Sequence, residues 1–363
     1  MNPFKLQRLG IIMEPEPGND LETEGVLNPA AVRGPDGNLY LFPRLVAKGN
    51  YSRIGIAKVL FSPDGDPVGV ERIGIALEPE ADYEKRPNGG GGCEDPRITF
   101  VKPLNSYIMT YTAFSSFGPR IAMAVSADLL HWQRLGLAKF AKYKDIEFNG
   151  VNNKDACIFP SALISPHGHN SIVMLHRPLF PGTLPEQIVK APDNRRVRDH
   201  HECIWISYSH INDEPYHSSP LPMFVSNSPL ALPEFPWEKL KIGAGAPPVM
   251  SKYGWLLVYH GVMQGCLTPD LNDELAYSAG VMILDSEHPH KILYRSPDPI
   301  LSPEIPEERI GTIGDVVFPT GIDQRNDIGR PDRYDIYYGM ADNRIGVARL
   351  DLPASLPMEN SSQ

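Results

Sequence analysis

A chain of 363 residues with 42% hydrophobic side chains can bury a large core, either as two domains or as one large all-β domain. Its 37 prolines and 31 glycines suit many short strands joined by tight turns and argue against a helical protein. A net charge of −10 excludes a nucleic-acid partner, whose phosphates would repel it, but not a compact anionic substrate held by a few local cations.

The chain begins "MNPFKLQRLG IIMEPEPGND", a three-residue apolar run followed by acids and prolines, which is no secretory signal. Residues 1–24 are expected to form an irregular tail and 353–363 a loose end, flanking a single domain. No stretch is long and apolar enough to span a bilayer, so no membrane partner is expected. Cys93, Cys157, Cys203 and Cys266 lie at least 46 residues apart, without metal-type pair spacing. A reduced, cytoplasmic protein without a metal or cofactor is expected.

From residue 28 onward a unit recurs five times: a proline in a small or apolar context, a short loop, then an aromatic-rich apolar strand. The units are "NPAAVRGPDGNLYLFPR", "EDPRITFVKPLNSYIMTYT", "CIFPSALISPHGHNSIVMLHR", "GAPPVMSKYGWLLVYHG" and "VVFPTGIDQRNDIGRPDRYDIYYG". Pro29, Pro96, Pro160, Pro247 and Pro319 anchor them. A second alternating strand follows each: "SRIGIAKVLFSPDG", "PRIAMAVSADLLHW", "ECIWISYSHIND", "LAYSAGVMILD" and "NRIGVARLDLP". Period-two alternation bounded by Gly, Pro, Asp and Asn reads as antiparallel strand. Five such units, each with room for about four strands, predict a five-bladed β-propeller, with rim insertions at 137–152 and 179–202. Two β-sandwiches are the alternative, but they leave the five matched units unexplained.

Equivalent positions of a propeller meet around its axis. Aligning the end of each first apolar strand gives Arg44, Thr112, Arg177, His260 and Gly339. The residues before the anchor prolines are Asn28, Asp95, Phe159, Ala246 and Phe318. Singly, each polar member has an ordinary explanation: Arg44 can snorkel, His260 can be a satisfied core histidine, Asp95 can cap a turn. Together, at matched offsets, they point to a polar pocket, because buried charges require partners or a ligand. In "NGVNNKDACIFP", Lys154 and Asp155 are either solvated turn residues or members of that pocket. With Arg177 and His260, Lys154 would form a cationic cluster suited to a tetrahedral oxyanion. The string "DHHEC" (Asp199 to Cys203) is a weak metal candidate, since adjacent residues point in different directions.

The strings "GGGCEDPRIT", "NKDACIFP", "MLHRP", "KIGAGAPPV", "GWLLVYHGV", "VVFPTG" and "YYGMADNRIGVA" resemble glycoside hydrolase family 130, the β-mannoside phosphorylases and related mannosidases, over residues 25–352. The resemblance implies a five-bladed propeller in which Asp95 of "EDPR" is the one catalytic carboxylate, a general acid. It assigns phosphate to Lys154, Arg177 and His260, and the bound mannosyl unit to Asn28, Arg44 and Asp342, with Arg53 and Asp155 as further substrate contacts. Several phosphorylases of the family carry arginine at the place of Lys154, and lysine lacks the bidentate fork. Two carboxylates serve an ordinary inverting glycosidase; a phosphorylase uses phosphate as the nucleophile instead. Glu94 and Arg97 are expected to orient Asp95.

The expected activity is inverting phosphorolysis of β-1,2- or β-1,4-linked manno-oligosaccharides to α-mannose 1-phosphate, with inorganic phosphate as co-substrate. Two alternatives stand beside it. A phosphate-independent β-mannosidase would need another acid, for which Glu202 and Glu274 are candidates. A non-catalytic sugar-binding propeller would have lost Asp95 or the cations. Linkage is not readable from the sequence, and a homo-oligomer is compatible with it.

Overall fold

The computed structural model describes residues 3–87, 89–144, 146–180, 202–211, 223–264 and 275–357. These residues form an all-β fold of five antiparallel meanders. After an N-terminal strand β1 (Lys5–Met13), the first meander is β2 (Gly25–Arg33), β3 (Leu39–Ala47), β4 (Tyr51–Phe61) and β5 (Pro67–Leu77). The second is β6 (Gly91–Val101), β7 (Ser106–Ser115), β8 (Gly118–Ser126) and β9 (Gln133–Leu137). A short strand β10 (Lys139–Phe140) precedes the third, which runs β11 (Asn152–Ile158), β12 (Leu163–Ile164), β13 (Asn170–Leu179), β14 (Ile204–His210) and β15 (Met223–Ala231). The fourth is β16 (Lys241–Ala244), β17 (Val249–Ser251), β18 (Gly254–Gln264), β19 (Leu275–Leu284) and β20 (Ile292–Arg295). The fifth is β21 (Val317–Gln324), β22 (Arg333–Met340) and β23 (Arg344–Asp351).

The N-terminal segment is not the irregular tail expected from sequence. Lys5–Met13 pairs antiparallel with β23 and supplies the fourth strand of the fifth meander. Its partner lies more than 300 residues away, so nothing local announces the strand. Of the two insertions, 137–152 packs Phe140 into an aromatic cluster with Phe148 and Phe224, while 181–201 falls outside the described residues.

Five apolar clusters lie between consecutive meanders. Phe42 and Ile56 meet Met109 and Tyr111 between the first two; Ile121 and Met123 meet Ile158 and Trp205 between the next. Val173 and Ile206 meet Ile242 and Trp255, and Val258 and Val281 meet Ile336 and Tyr338. The fifth cluster joins the last meander to the first through Val26, Leu41, Tyr337 and Val347. Ion pairs reinforce that last contact: Arg33 of β2 is bidentate on Asp323 of β21, and Arg349 of β23 reaches Asp66 at 2.8 Å.

A second device repeats around the fold. The segment entering a meander carries a fully buried glutamate that bonds the outermost strand of the same meander. Glu84 accepts the N–H groups of Glu80 and Ala81, the Tyr111 hydroxyl at 2.5 Å and Arg134 Nε at 2.9 Å. Glu238 takes Glu234 and Phe235 N–H, the Tyr259 hydroxyl and Arg295. Glu308 takes Glu304 N–H, the Tyr338 hydroxyl and Arg8. Glu22 does the same with Glu16 N–H and Arg72. In sequence these are "PEADYE", "PEFPWE", "PEIPEE" and a longer "PEPGNDLE". In the third meander the position of the tyrosine is taken by His176, held between Asn153 and Ser207.

Removing one member of such a pin leaves the others buried and unpaired, which costs about 3–5 kcal/mol. Glu84→Ala should therefore lower unfolding free energy by that amount in urea titration. Loss of less than about 1 kcal/mol would show that the pins carry little of the stability.

Candidate active site

Cross-strand pairing brings one position of each meander to the same level. Arg44 stands opposite Leu27, Thr112 opposite Glu94, Arg177 opposite Lys154, His260 opposite Gly243 and Gly339 opposite Phe318. The second-strand alignment read from sequence thus coincides with the register. The first-strand alignment does not hold in the last three units. A β-bulge follows the paired residue in the first, second and third meanders, and its first residue is Asn28, Asp95 or Asp155. Phe159 therefore is not the equivalent of Asp95; Asp155 is. The register likewise puts Ala244 and Pro319, not Ala246 and Phe318, at that level.

All three bulge residues are left-handed, with φ of 46° at Asn28, 47° at Asp95 and 55° at Asp155. Asn and Asp tolerate this conformation better than other non-glycine residues, and a bulge re-aims its side chain. The glycine run ahead of Asp95 has a steric reason. A Cβ on Gly91 or Gly92 would lie 2.2 Å from the carbonyl oxygen of Phe114 or Ser52, so two neighbouring strands press on this segment.

On one side of the site, Asp95 is buried and accepts Asn28 Nδ2 at 2.8 Å and Arg44 Nη1 at 3.3 Å. Arg44 also donates to Glu94 at 2.9 Å, Ser52 at 2.9 Å and Asn50 at 3.1 Å. Arg97 binds the Asp95 carbonyl at 2.5 Å and that of Gly245 at 2.8 Å, so it fixes the backbone and leaves the carboxylate free. Asp342, left-handed at φ 49°, stands within electrostatic range of Arg44, Asp95 and Lys154. Burial pushes the Asp342 carboxyl up to about 6, with Asp95 adding to the rise. Burial also raises Glu94. Burial acts on Asp95 in the same sense, but Arg44, Lys154 and Arg97 outweigh it and hold Asp95 below the usual range.

On the other side, Arg177 Nε donates to Asp155 at 2.6 Å and its Nη1 meets Glu202. Asp155 lies 3.5 Å from His260 Nε2, in the space that Gly243 leaves: a Cβ there would stand 2.4 Å from both groups. Asp155 thus belongs with Arg177 and His260, away from the Asn28–Arg44–Asp95 group. Among the described residues Lys154 makes no ion pair of its own, but it lies within electrostatic range of Glu94, Asp95, Asp155 and Asp342. His260 is fully buried, its ring nitrogens have no hydrogen-bond partner among the described residues, and burial depresses it to about 3, so burial favours the neutral ring over a third cation.

Arg53 is directed elsewhere: Nε bonds Glu78 at 2.6 Å and the guanidinium sits over Tyr51. Two members of the site were not singled out from sequence. Lys241 sits 5.5 Å over the Tyr277 ring, and burial lowers its pKa, as does Arg177. Tyr277 stacks 6.2 Å from His260, and Phe318 packs 4.5 Å from the same ring. The signal for Lys241 was a lysine heading the small-residue string "KIGAGAPP". Of the other candidates, Glu274, Asp199, His200 and His201 lie outside the described residues. The described residues contain no helix long and apolar enough to cross a membrane.

The arrangement sets a hydrogen-bonded carboxylate, Asp95, beside a second cluster made of Lys154, Asp155, Arg177 and His260. A profile of β-1,4-mannooligosaccharide phosphorylases matches residues 14–356. The chain belongs to glycoside hydrolase family 130. A 1,2-β-oligomannan phosphorylase of Thermoanaerobacter sp. (strain X514) is 30% identical over 96% of this chain and 98% of its own. A β-1,4-mannooligosaccharide phosphorylase of Ruminococcus albus is 27% identical over 79% of this chain and 71% of its own. Among solved structures, the β-1,2-mannobiose phosphorylase of Listeria innocua, in complex with β-1,2-mannobiose, superposes with a TM-score of 0.67. It is 22% identical and the match covers 96% of this chain and 97% of that one. The fold is accordingly β-propeller-like.

The buried histidines give a pH dependence of known sign. Burial depresses His176 to about 3, so an unfolded chain binds its proton near 6.5 while the folded one does not. Its stabilising contribution is complete above pH 6.5 and is lost as pH falls toward 3. Asp342, with its raised value, acts in the opposite sense, so the test is differential. Between pH 7.5 and 5, wild type should lose about 2 kcal/mol more unfolding free energy than His176→Gln. Equal losses would show that His176 is not held neutral.

Proposed function

We propose that this protein is an inverting β-mannoside phosphorylase with a site at one end of a closed five-bladed propeller. Closure is supported by the apolar clusters between every consecutive pair of meanders, the last and first included. The observation that carries the activity is the pair of distinct bonded sets, Asp95 with Asn28 and Arg44, and Asp155 with Arg177 and His260, with Lys154 in the field of both. The names of the relatives, mannooligosaccharide phosphorylases of both β-1,2 and β-1,4 type, support the substrate class.

In this reading Asn28, Arg44 and Asp342 hold the mannosyl unit between the two groups. Lys154, Arg177 and His260, with Lys241 and Tyr277, hold phosphate beside the anomeric carbon, and Asp155 positions Arg177 and His260. A phosphate oxygen forms the new bond to C1 as the glycosidic C–O bond breaks on the opposite face. The leaving oxygen receives the proton supplied by Asp95, which the family resemblance routes through a sugar hydroxyl. Products are α-mannose 1-phosphate and a manno-oligosaccharide one unit shorter. Asp95 needs a proton although its surroundings favour the ionised form. Phosphate brings negative charge toward three neighbouring carboxylates and so raises their proton affinity.

A second reading rests on Glu202, whose carboxylate meets Arg177. There it would serve as base for water, and the enzyme would be a β-mannosidase. Initial rates on mannobioses against phosphate concentration separate the two. Phosphorolysis gives mannose 1-phosphate and a rate that saturates with phosphate; a rate independent of phosphate, with free mannose as product, would establish hydrolysis instead.

Two substitutions sharpen the test. Asp95→Asn should lower the rate by about 10²- to 10⁴-fold while leaving the fold intact; a variant with half the wild-type rate removes Asp95 from the mechanism. A charge-assisted hydrogen bond contributes roughly 1.5–3 kcal/mol. Arg177→Ala should therefore raise the apparent phosphate requirement about 10- to 100-fold and change mannoside KM much less. An unchanged phosphate requirement would exclude Arg177 from the anion site.

A further inference from the structure

A cleft of about 590 Å³ opens on the rim between the first and second meanders, within the roughly 300–1,000 Å³ range of small-molecule sites. Tyr51, Lys85, Arg86 and Phe117 line it, with Asp82 and Ser116. Phe117, at the tip of the β7–β8 turn, is 79% exposed. Arg86 is held over the Phe114 ring at 5.0 Å, which fixes its stem. Lys85 and Arg86 bring two basic side chains to the cleft wall.

We infer that this cleft is a second carbohydrate site, one that takes the distal units of the leaving oligosaccharide. Aromatic faces beside basic side chains and a carboxylate match a pyranose, whose apolar C–H face and ring of hydroxyls need both. The direction of the chain rests on the phosphorolysis reading above. Phosphate held by the third and fourth meanders attacks one face of C1, so the leaving group departs from the other, past Asp95 toward the first and second. The strand that carries Asp95 leads there. Tyr51, which lines the cleft, pairs with Gly91, and three residues of the same strand stand between Gly91 and Asp95. The cleft therefore lies beyond the first leaving-group sugar. Disaccharides should not reach it; longer chains should.

The test compares wild type, Phe117→Ala, Arg86→Ala and Phe117→Trp on mannobiose, mannotriose and mannotetraose of both linkages with saturating phosphate. In the two alanine variants kcat/KM for mannobiose should stay within about twofold, while that for the longer chains falls about 10-fold. Phe117→Trp should restore the longer substrates. Equal losses on all lengths, or no loss on any, overturn the second site while leaving phosphorolysis intact. A wild type that forms no mannose 1-phosphate from any length overturns both readings.

Discussion

Three left-handed residues decide what this fold can do. At Asn28, Asp95 and Asp155 a bulge interrupts the first strand of a meander just where the strand reaches the site. A regular strand would alternate its side chains between the two faces of the sheet. The bulge breaks that alternation and turns a short polar side chain aside. Side chains with a β-carbon pay for positive φ, so the conformation persists only where neighbours over-determine it. Arg97 supplies that constraint at Asp95 by binding its carbonyl, and Arg177 at Asp155 by binding its carboxylate.

Burial then imposes a second condition. Carboxylates and guanidinium groups at these depths are tolerable only in pairs, and the site satisfies this in two separate sets. Arg44 neutralises Glu94 and Asp95, and Arg177 neutralises Asp155 and Glu202. Lys154, belonging to neither pair, lies in the field of both. The glutamate pins extend the same rule away from the site. Each fixes the segment entering a meander to its outermost strand, which leaves the inner strands to be shaped by the bulges. His176 occupies the tyrosine position in the one meander without a pin, beside Arg177. There its bond to Asn153 ties together the two strands that carry Lys154, Asp155 and Arg177, and its bond to Ser207 ties them to β14.

Much of this was legible in the sequence. The second strands run uninterrupted, so counting along them placed Arg44, Thr112, Arg177, His260 and Gly339 at one level. The first strands could not be counted in that way, because an extra residue enters wherever a bulge forms. In the first two units a proline follows the bulge residue, and Asn28 and Asp95 were found by it. In the third, alanine follows Asp155 and the proline falls four residues later, so the count slipped to Phe159. The repeated "P-E-x-x-x-E" was visible at 79–84, 233–238 and 303–308 but has no meaning until the outer-strand arginines are seen to meet it. The charge state of His260 was not legible for a different reason. Sequence gives a residue type and not its solvation, and burial removes the charge that the type suggests.

The anion side has one asymmetry that bears on how such a site works. Of the two carboxylates on Arg177, Asp155 is wholly enclosed, whereas about a quarter of the Glu202 side chain faces solvent. Displacing Asp155 would strand a buried charge; displacing Glu202 returns one to water at small cost. On the proposed phosphorolysis, an incoming anion would exchange with Glu202 and leave the Asp155 bond as the fixed support of the guanidinium. If the anion is the phosphate dianion, the exchange also adds negative charge opposite Glu94, Asp95 and Asp342. Those groups lie near enough to share Arg44 and Lys154 as common perturbers, so each must then hold a proton more firmly. On that proposed reading, nucleophile binding and acid protonation would be coupled through the field of a largely buried site.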